Sequence, residues 1–260
     1  MLYFSLFLHK MVAGDKMVVT AIIQARMGST RLPGKILKEV NGKPLLEYQM
    51  ERVKASKEID QIVVATTKNC EDDIIEQFCV KNDIKYHRGP ETDVLTRYYE
   101  TACKFGGATI VRLTSDCPII DPIVIDETIS YYKDNYGFFD YVTNTLVSAY
   151  PRGYDVEVFS KDVLEKAYKM AFSKSNREHV TAYIYNNADV FNIGHYGKES
   201  FYSNYRLTVD TSEDFQLIST IISKLYHDNP LFNLHDITAL FNKHPEIALI
   251  NSNVKQKKVD

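Results

Sequence analysis

The chain has 260 residues with 31 basic and 34 acidic side chains, giving a formal net charge of -3 and a pI near 6.2. That length suits one α/β domain with a single extended core, and the acidic balance excludes a general nucleic-acid binder, whose phosphate contacts demand a basic excess. The four cysteines, Cys70, Cys79, Cys103 and Cys117, contain no C-x-x-C pair, so neither a disulfide framework nor a zinc site is expected and a reducing cytoplasm fits.

The opening residues, MLYFSLFLHK, carry an apolar run only from Leu2 to Leu8, with no basic residue before it and no A-x-A site after it. Such a run neither spans a bilayer nor follows the signal-peptide pattern. Residues 1–16 are expected to be an extension outside the fold, ahead of a natural start at Met11 or Met17, with a membrane-surface anchor as the alternative. Residues 17–250 then form one domain, without a membrane partner.

From Val18 the chain alternates between apolar runs and helical periodicity. Val18 to Ile23, Gln61 to Thr66 and Thr109 to Leu113 are continuous and rich in β-branched residues, as expected of strands covered on both faces. Between and after them, Leu46, Met50 and Val53 share a helical face, as do Ile74 with Phe78, and Leu95, Tyr98, Tyr99 and Ala102. The pattern is βαβαβα, a mostly parallel sheet flanked by helices. Further along, Tyr141 to Thr145 and Val156 to Phe159 read as strands around a Pro151-Arg152-Gly153 turn, and Lys161 to Asn187 as two helices broken near Ser173. This stretch, about 140–190, is read as an insertion arm because the β/α pattern resumes after it: Arg206 to Val209 as a strand, then Ile218, Ile221, Ile222 and Leu225 on a helix. Residues 251–260, with Lys255, Lys257 and Lys258, read as a frayed tail. The tyrosines at helical spacing, among them Tyr98, Tyr99, Tyr131, Tyr132, Tyr183 and Tyr185, suit core or interface better than base stacking.

Ligands of open α/β sheets lie outside the carboxyl ends of the strands, so three loops stand out. The first, QARMGSTRLPGK at residues 24–35, combines Arg26, Arg31 and Lys35 with Gly28, Gly34 and the hydroxyls of Ser29 and Thr30. Flexible backbone and concentrated positive charge suit a polyphosphate, although the loop lacks the G-K-[ST] of a P-loop and the G-x-G-x-x-G of a dinucleotide fold; the alternative is an exposed basic turn. The second, Thr114-Ser115-Asp116-Cys117-Pro118, places a carboxylate at a strand end, as a magnesium ligand or as an Asx-turn before Pro118. Asp121 before Pro122 reads as a helix N-cap. In the third, Val209 to Asp214, Asp210 and Glu213 have capping-box-like spacing, so that Asp210 or Ser212 caps the next helix unless Asp210 serves a metal.

Read together, A-I-I-Q-A-R-M-G-S-T-R-L-P-G-K at 21–35, Gly42-Lys43-Pro44-Leu45, R-G-P-E-T-D-V-L-T-R-Y-Y at 88–99, R-L-T-S-D-C-P at 112–118, P-R-G-Y-D-V-E-V-F at 151–159, R-E-H-V-T at 177–181 and R-L-T-V-D-T-S-E-D-F at 206–215 resemble the cytidylyltransferases that make CMP-activated acidic sugars. The likeness is to the CMP-Kdo and CMP-sialate synthetase superfamily, above all its spore coat polysaccharide protein F type, and runs from Met17 to about Leu225. It implies a GT-A-like, Rossmann-like fold and transfer of CMP from CTP to an acidic sugar, with pyrophosphate released. By that resemblance Arg26, Arg31 and Lys35 hold the CTP phosphates, Ala25, Gly28, Ser29 and Asp93 belong to the nucleotide site, and Asp116 and Asp210 bind Mg2+, which moves Asp210 from cap to ligand. Arg152, Asp155, Glu157, Arg177 and His179 become candidates for the acidic acceptor, Arg152 and Arg177 because guanidinium pairs with carboxylate in a fork. For Arg177 the alternative is an exposed helical face, and Asp155 and Glu157, which alternate with Val156 and Val158, point to the cleft or to water. The resemblance also implies a homodimer through the middle segment. The chain departs from the CMP-Kdo enzymes at Ser115-Asp116-Cys117-Pro118, where they carry Gly-Asp-Glu-Pro, so sugar recognition there does not transfer. A GT-A glycosyltransferase is the competing enzyme, but Ser115-Asp116-Cys117 lacks its D-x-D motif; a non-catalytic nucleotide-binding protein of the same fold is the other alternative.

Overall fold

The computed structural model describes residues 17–147, 149–198 and 201–256. Reading 1–16 as an extension concerns residues outside that range. Four strands build the parallel half of the sheet: β1 (Val19–Gln24), β4 (Gln61–Thr67), β5 (Lys85–Gly89) and β6 (Thr109–Thr114), with a small hairpin of β2 (Glu39–Val40) and β3 (Lys43–Pro44) between the first two. The intervening helices are α1 (Leu45–Lys54), α2 (Asp73–Lys81) and α3 (Val94–Phe105), and α4 (Pro122–Asp134) follows β6. Beyond it come β7 (Tyr141–Thr143), β8 (Glu157–Ser160), α5 (Lys161–Met170), α6 (Lys174–Glu178), α7 (Ala182–Tyr185) and β9 (Ile193–His195). The chain closes with α8 (Ser212–Leu225), α9 (Leu234–Lys243) and α10 (Pro245–Ala248).

The sheet order is β5-β4-β1-β6-β8-β7-β9. β5, β4, β1 and β6 pair in parallel, β8 runs antiparallel to both β6 and β7, and β7 and β9 are parallel. β1 thus lies between strands that the chain reaches in opposite directions, a topological switch point with its crevice at the carboxyl ends of β1 and β6. The expected mostly parallel α/β architecture is what the chain adopts. The continuous apolar strands are explained by two cores: Ala21, Ile23, Val64 and Val111 pack on one face with α1, α4 and α8, whereas Ile22, Ala65 and Ile110 pack on the other with Leu95 and Tyr98 of α3 and Leu164 of α5. Tyr98 is a core residue whose hydroxyl donates to the carbonyls of Ile22 and Leu113, and Tyr99 stacks on Tyr168 with ring centroids 4.2 Å apart.

Several local expectations change. The buried residues of α2 are Ile75 and Cys79, and Phe78 packs partly buried against the core, while Ile74 is about half exposed, because the helix turns the stripe one residue round from Ile74 to the sheet. The arm holds three helices, not two; Ser173 marks the break and caps α6, its Oγ accepting from Asn176 N at 3.2 Å. Arg206 to Val209 is not a sheet strand. Its donors go to separate loops, Leu207 N to Arg152 O and Val209 N to Asp116 O, which leaves one isolated bridge between Arg152 and Arg206. Gly153, at φ 107°, permits this approach, since a Cβ there would fall 2.4 Å from Leu207 O. The tail does not fray at its start: Asn251 is buried and donates to Arg206 O at 2.9 Å and Asp214 Oδ1 at 2.8 Å. Lys257 and Lys258 lie outside the described residues.

Candidate functional site

The loop after β1 leaves the sheet with Ala25 N donating to Ala65 O at 3.1 Å and folds back through Ser29 N and Gly34 N, both donating to Met27 O. Met27 N is held by Asp72 Oδ1 at 2.7 Å. Gly34 takes φ 65°, a left-handed turn that starts the single 3-10 turn Lys35–Leu37 and sends the Lys35 side chain toward the end of β6.

There Lys35 Nζ meets Asp116 Oδ2 at 2.9 Å and Asp210 Oδ1 at 2.8 Å. Asp210 Oδ2 also takes Arg31 at 3.0 Å and Arg206 at 2.6 Å. Burial by itself would lower the Lys35 ammonium, but Asp116 and Asp210 outweigh it and hold the group above its ordinary value. Burial would likewise raise both carboxyls, and Lys35 pulls each of them below the usual range. All three groups are therefore charged at neutral pH.

Asp210 is free for this because the helix cap lies one residue later. Thr211 caps α8 and Asp214 closes the capping box, rather than the Asp210 and Glu213 pair or Ser212. Fully buried Asp214 accepts from the backbone N–H of Asp210 and Thr211 and from Arg206 Nε at 3.0 Å. Asp121 caps α4 as expected, accepting from Ile123 N at 2.9 Å.

These loops enclose a cleft of about 430 Å³, within the range of small-ligand sites. Ala25, Arg26, Gly28, Ser29, Arg31, Lys35, Asp116, Asp210 and His179 all line it. Gly28 closes one side, where a Cβ would sit 2.8 Å from Glu71 Oε1. A larger groove of about 670 Å³ beside β9, lined by Phe138, Leu146 and Phe191 among others, has no comparable convergence of charge.

Five sequence candidates lie outside the cleft lining. Asp93 caps α3, accepting from Thr96 N at 2.9 Å, and receives Arg177 Nη2 at 2.7 Å. Arg177 spends its remaining donors on Tyr168 O, at 2.8 Å, and neighbouring acceptors, so it neither extends from an exposed helical face nor offers a fork to a ligand. Arg152 pairs with Asp155 at 3.5 Å, and burial pushes the Asp155 carboxyl up to about 6 despite that partner. Glu157 points neither to the cleft nor to water: both of its oxygens take Arg112 Nη1 at 2.9 Å, and Thr181 donates at 3.0 Å. Conversely, Glu91, Arg97, Lys174 and Glu178 line the cleft unforeseen, and Arg206 anchors Asp210. Glu91 sits inside the R-G-P-E-T-D stretch and Arg206 opens R-L-T-V-D, so their motifs were visible although their roles were not.

The donor set fits a hard divalent cation. Two carboxylate oxygens converge within 3 Å of one cationic atom, and no group of three or more His, Cys, Asp or Glu able to hold a metal occurs among the described residues. Such a half-built oxygen site suits magnesium, which takes one or two carboxylates and completes its shell with phosphate oxygens and water.

The chain is similar to known proteins along most of its length. The sequence profile described as Cytidylyltransferase matches residues 20–232. The spore coat polysaccharide biosynthesis protein SpsF of Bacillus subtilis is 34% identical, the match covering 87% of this chain and 95% of that one. An 8-amino-3,8-dideoxy-manno-octulosonate cytidylyltransferase of Shewanella frigidimarina is 35% identical over 131 residues, 49% of this chain and 52% of its own. A solved cytidylyltransferase from Leptospira borgpetersenii superposes with a TM-score of 0.85 at 35% identity, covering 94% of this chain and all of that one.

Proposed function

The chain belongs to the cytidylyltransferase family of CTP-dependent nucleotidyltransferases, and on that premise we propose that it transfers CMP from CTP to an acidic sugar destined for a surface glycan, with magnesium as cofactor. An acceptor oxygen attacks the α-phosphorus, the new P–O bond forms in line with the one that breaks, and pyrophosphate leaves. The observation that carries this reading is a cleft with one cationic wall, Arg26, Arg31 and Lys35, facing one acidic wall, Asp116 and Asp210. Asp116 and Asp210 would hold Mg2+, whose contribution when bound is to neutralise phosphate charge and acidify an acceptor hydroxyl. Arg31 and Lys35 neutralise the charge that develops on the departing pyrophosphate, and the loop backbone around Ala25 and Gly28 orients the nucleotide.

An acidic acceptor is supported by the Shewanella relative, whose name gives an octulosonate as its substrate. With Arg177 committed to Asp93, its carboxylate falls to Lys174 and His179, which the arm brings to the cleft. We further take two chains to pair beside the arm, where Phe138 and Leu146 expose apolar surface; sedimentation of a fully active monomer would remove that part. No helix among the described residues is long and apolar enough to cross a membrane, and cytoplasmic residence is part of the proposal.

The test is pyrophosphate release from each nucleoside triphosphate with acidic and neutral sugar acceptors, with magnesium or with EDTA. CTP, an acidic acceptor and sensitivity to EDTA are expected. Turnover of neutral sugar phosphates alone would overturn the acceptor assignment, and full activity in EDTA the metal.

A further inference from the structure

Asp116 and Asp210 are already neutralised from within the chain. With Asp214 they bring three negative charges, and Lys35, Arg31 and Arg206 bring three positive ones. The atom shared by the two cleft carboxylates is Lys35 Nζ, whose side chain is only 12% exposed. A free divalent cation must therefore break two charge-assisted hydrogen bonds and settle beside a displaced ammonium, with no new negative charge to compensate.

We propose that Lys35 is a resident counter-ion: it holds the two carboxylates together while the cleft lacks nucleotide, excludes a free divalent ion from them, and releases them when a triphosphate draws its ammonium away. This rests on the reading that Asp116 and Asp210 are metal ligands. Three features carry it. Lysine is a compact charge on a flexible four-carbon stem, able to change partners by rotation alone. Lys35 also lies within the phosphate-type loop, anchored behind Gly34, so the same residue serves both walls. Arg206, tied to Asp214, stays on Asp210 throughout, which keeps that carboxylate oriented after Lys35 departs. Nucleotide and metal then bind with positive coupling, each raising the affinity of the other by the same factor.

The test uses the full chain and Mn2+, followed by electron paramagnetic resonance, as the probe. Without nucleotide, Lys35→Met is expected to bind Mn2+ about tenfold or more tightly than the parent, whereas Lys35→Arg, which restores the cation, stays near the parent. A non-hydrolysable CTP analogue is expected to raise the Mn2+ affinity of the parent by at least about tenfold and that of Lys35→Met much less. Equal or weaker Mn2+ binding by folded Lys35→Met, without nucleotide, overturns the counter-ion role while leaving the ligand assignment intact. Asp116→Asn separates the two ideas: if it leaves Mn2+ binding unchanged in the presence of the analogue, the ligand assignment fails and the counter-ion proposal falls with it.

Discussion

The cleft and the arm use the same chemistry to different ends. In the cleft, Lys35 spans two carboxylates, Asp210 is shared among three cations, and both acids face open space. Where the arm meets the sheet, its Arg177 fills Asp93 together with the N-terminus of α3, and its Glu157 is filled by Arg112 and by Thr181, away from the cleft lining. Ion pairing alone therefore does not mark a functional residue. What distinguishes the cleft is that its paired groups line an open volume.

The comparison breaks most visibly at Asp116. Asp116→Asn should cut turnover by about 10³-fold, near 4 kcal/mol of barrier, with the thermal unfolding transition retained; normal turnover would move Asp116 into the structural class. Glu157→Ala should do the reverse, costing about 3 kcal/mol in urea denaturation because Arg112 is left buried without its carboxylate. Arg177→Ala is expected to lose about 2 kcal/mol of stability while KM for the acceptor changes little, and a raised KM at unchanged stability would return Arg177 to the acceptor site.

The smallest effect is at Asp155, whose carboxyl burial raises to about 6. Because the fold retains a proton that the unfolded chain releases earlier, the stability from this group is complete below about pH 4 and is lost as the pH rises through about 6. Asp155→Asn removes that loss. With the side chain 31% exposed, water screening limits the gain to about 1 kcal/mol at pH 8, with none at pH 4. Denaturation at the two pH values checks it.

Much of this was legible because local chemistry repeats along the chain. Apolar β-branched runs marked β1, β4 and β6, since strands buried on both faces leave no polar alternation. β5, Lys85–Gly89, escaped notice because it is a half-exposed edge strand of sequence KYHRG, without that signal. Asp121 before Pro122 announced its cap, as both determinants are adjacent residues. Asp210 was ambiguous, because a single-residue shift in a capping frame is decided by the path of the incoming backbone. That path follows Arg152 and Asp116, far away in the chain.

By itself the sequence determined the α/β class, the cationic loop of residues 24–35 and, through a long ordered series of motifs, the resemblance to cytidylyltransferases. Only the tertiary structure decided which charges face one another. It sent Arg177 to Asp93 and Glu157 to Arg112, and it brought Lys35 to carboxylates 81 and 175 positions away. The reason is physical: strand periodicity and loop composition are encoded by neighbours along the chain, whereas electrostatic partners are set by loops that meet only after the sheet has closed its order around β1.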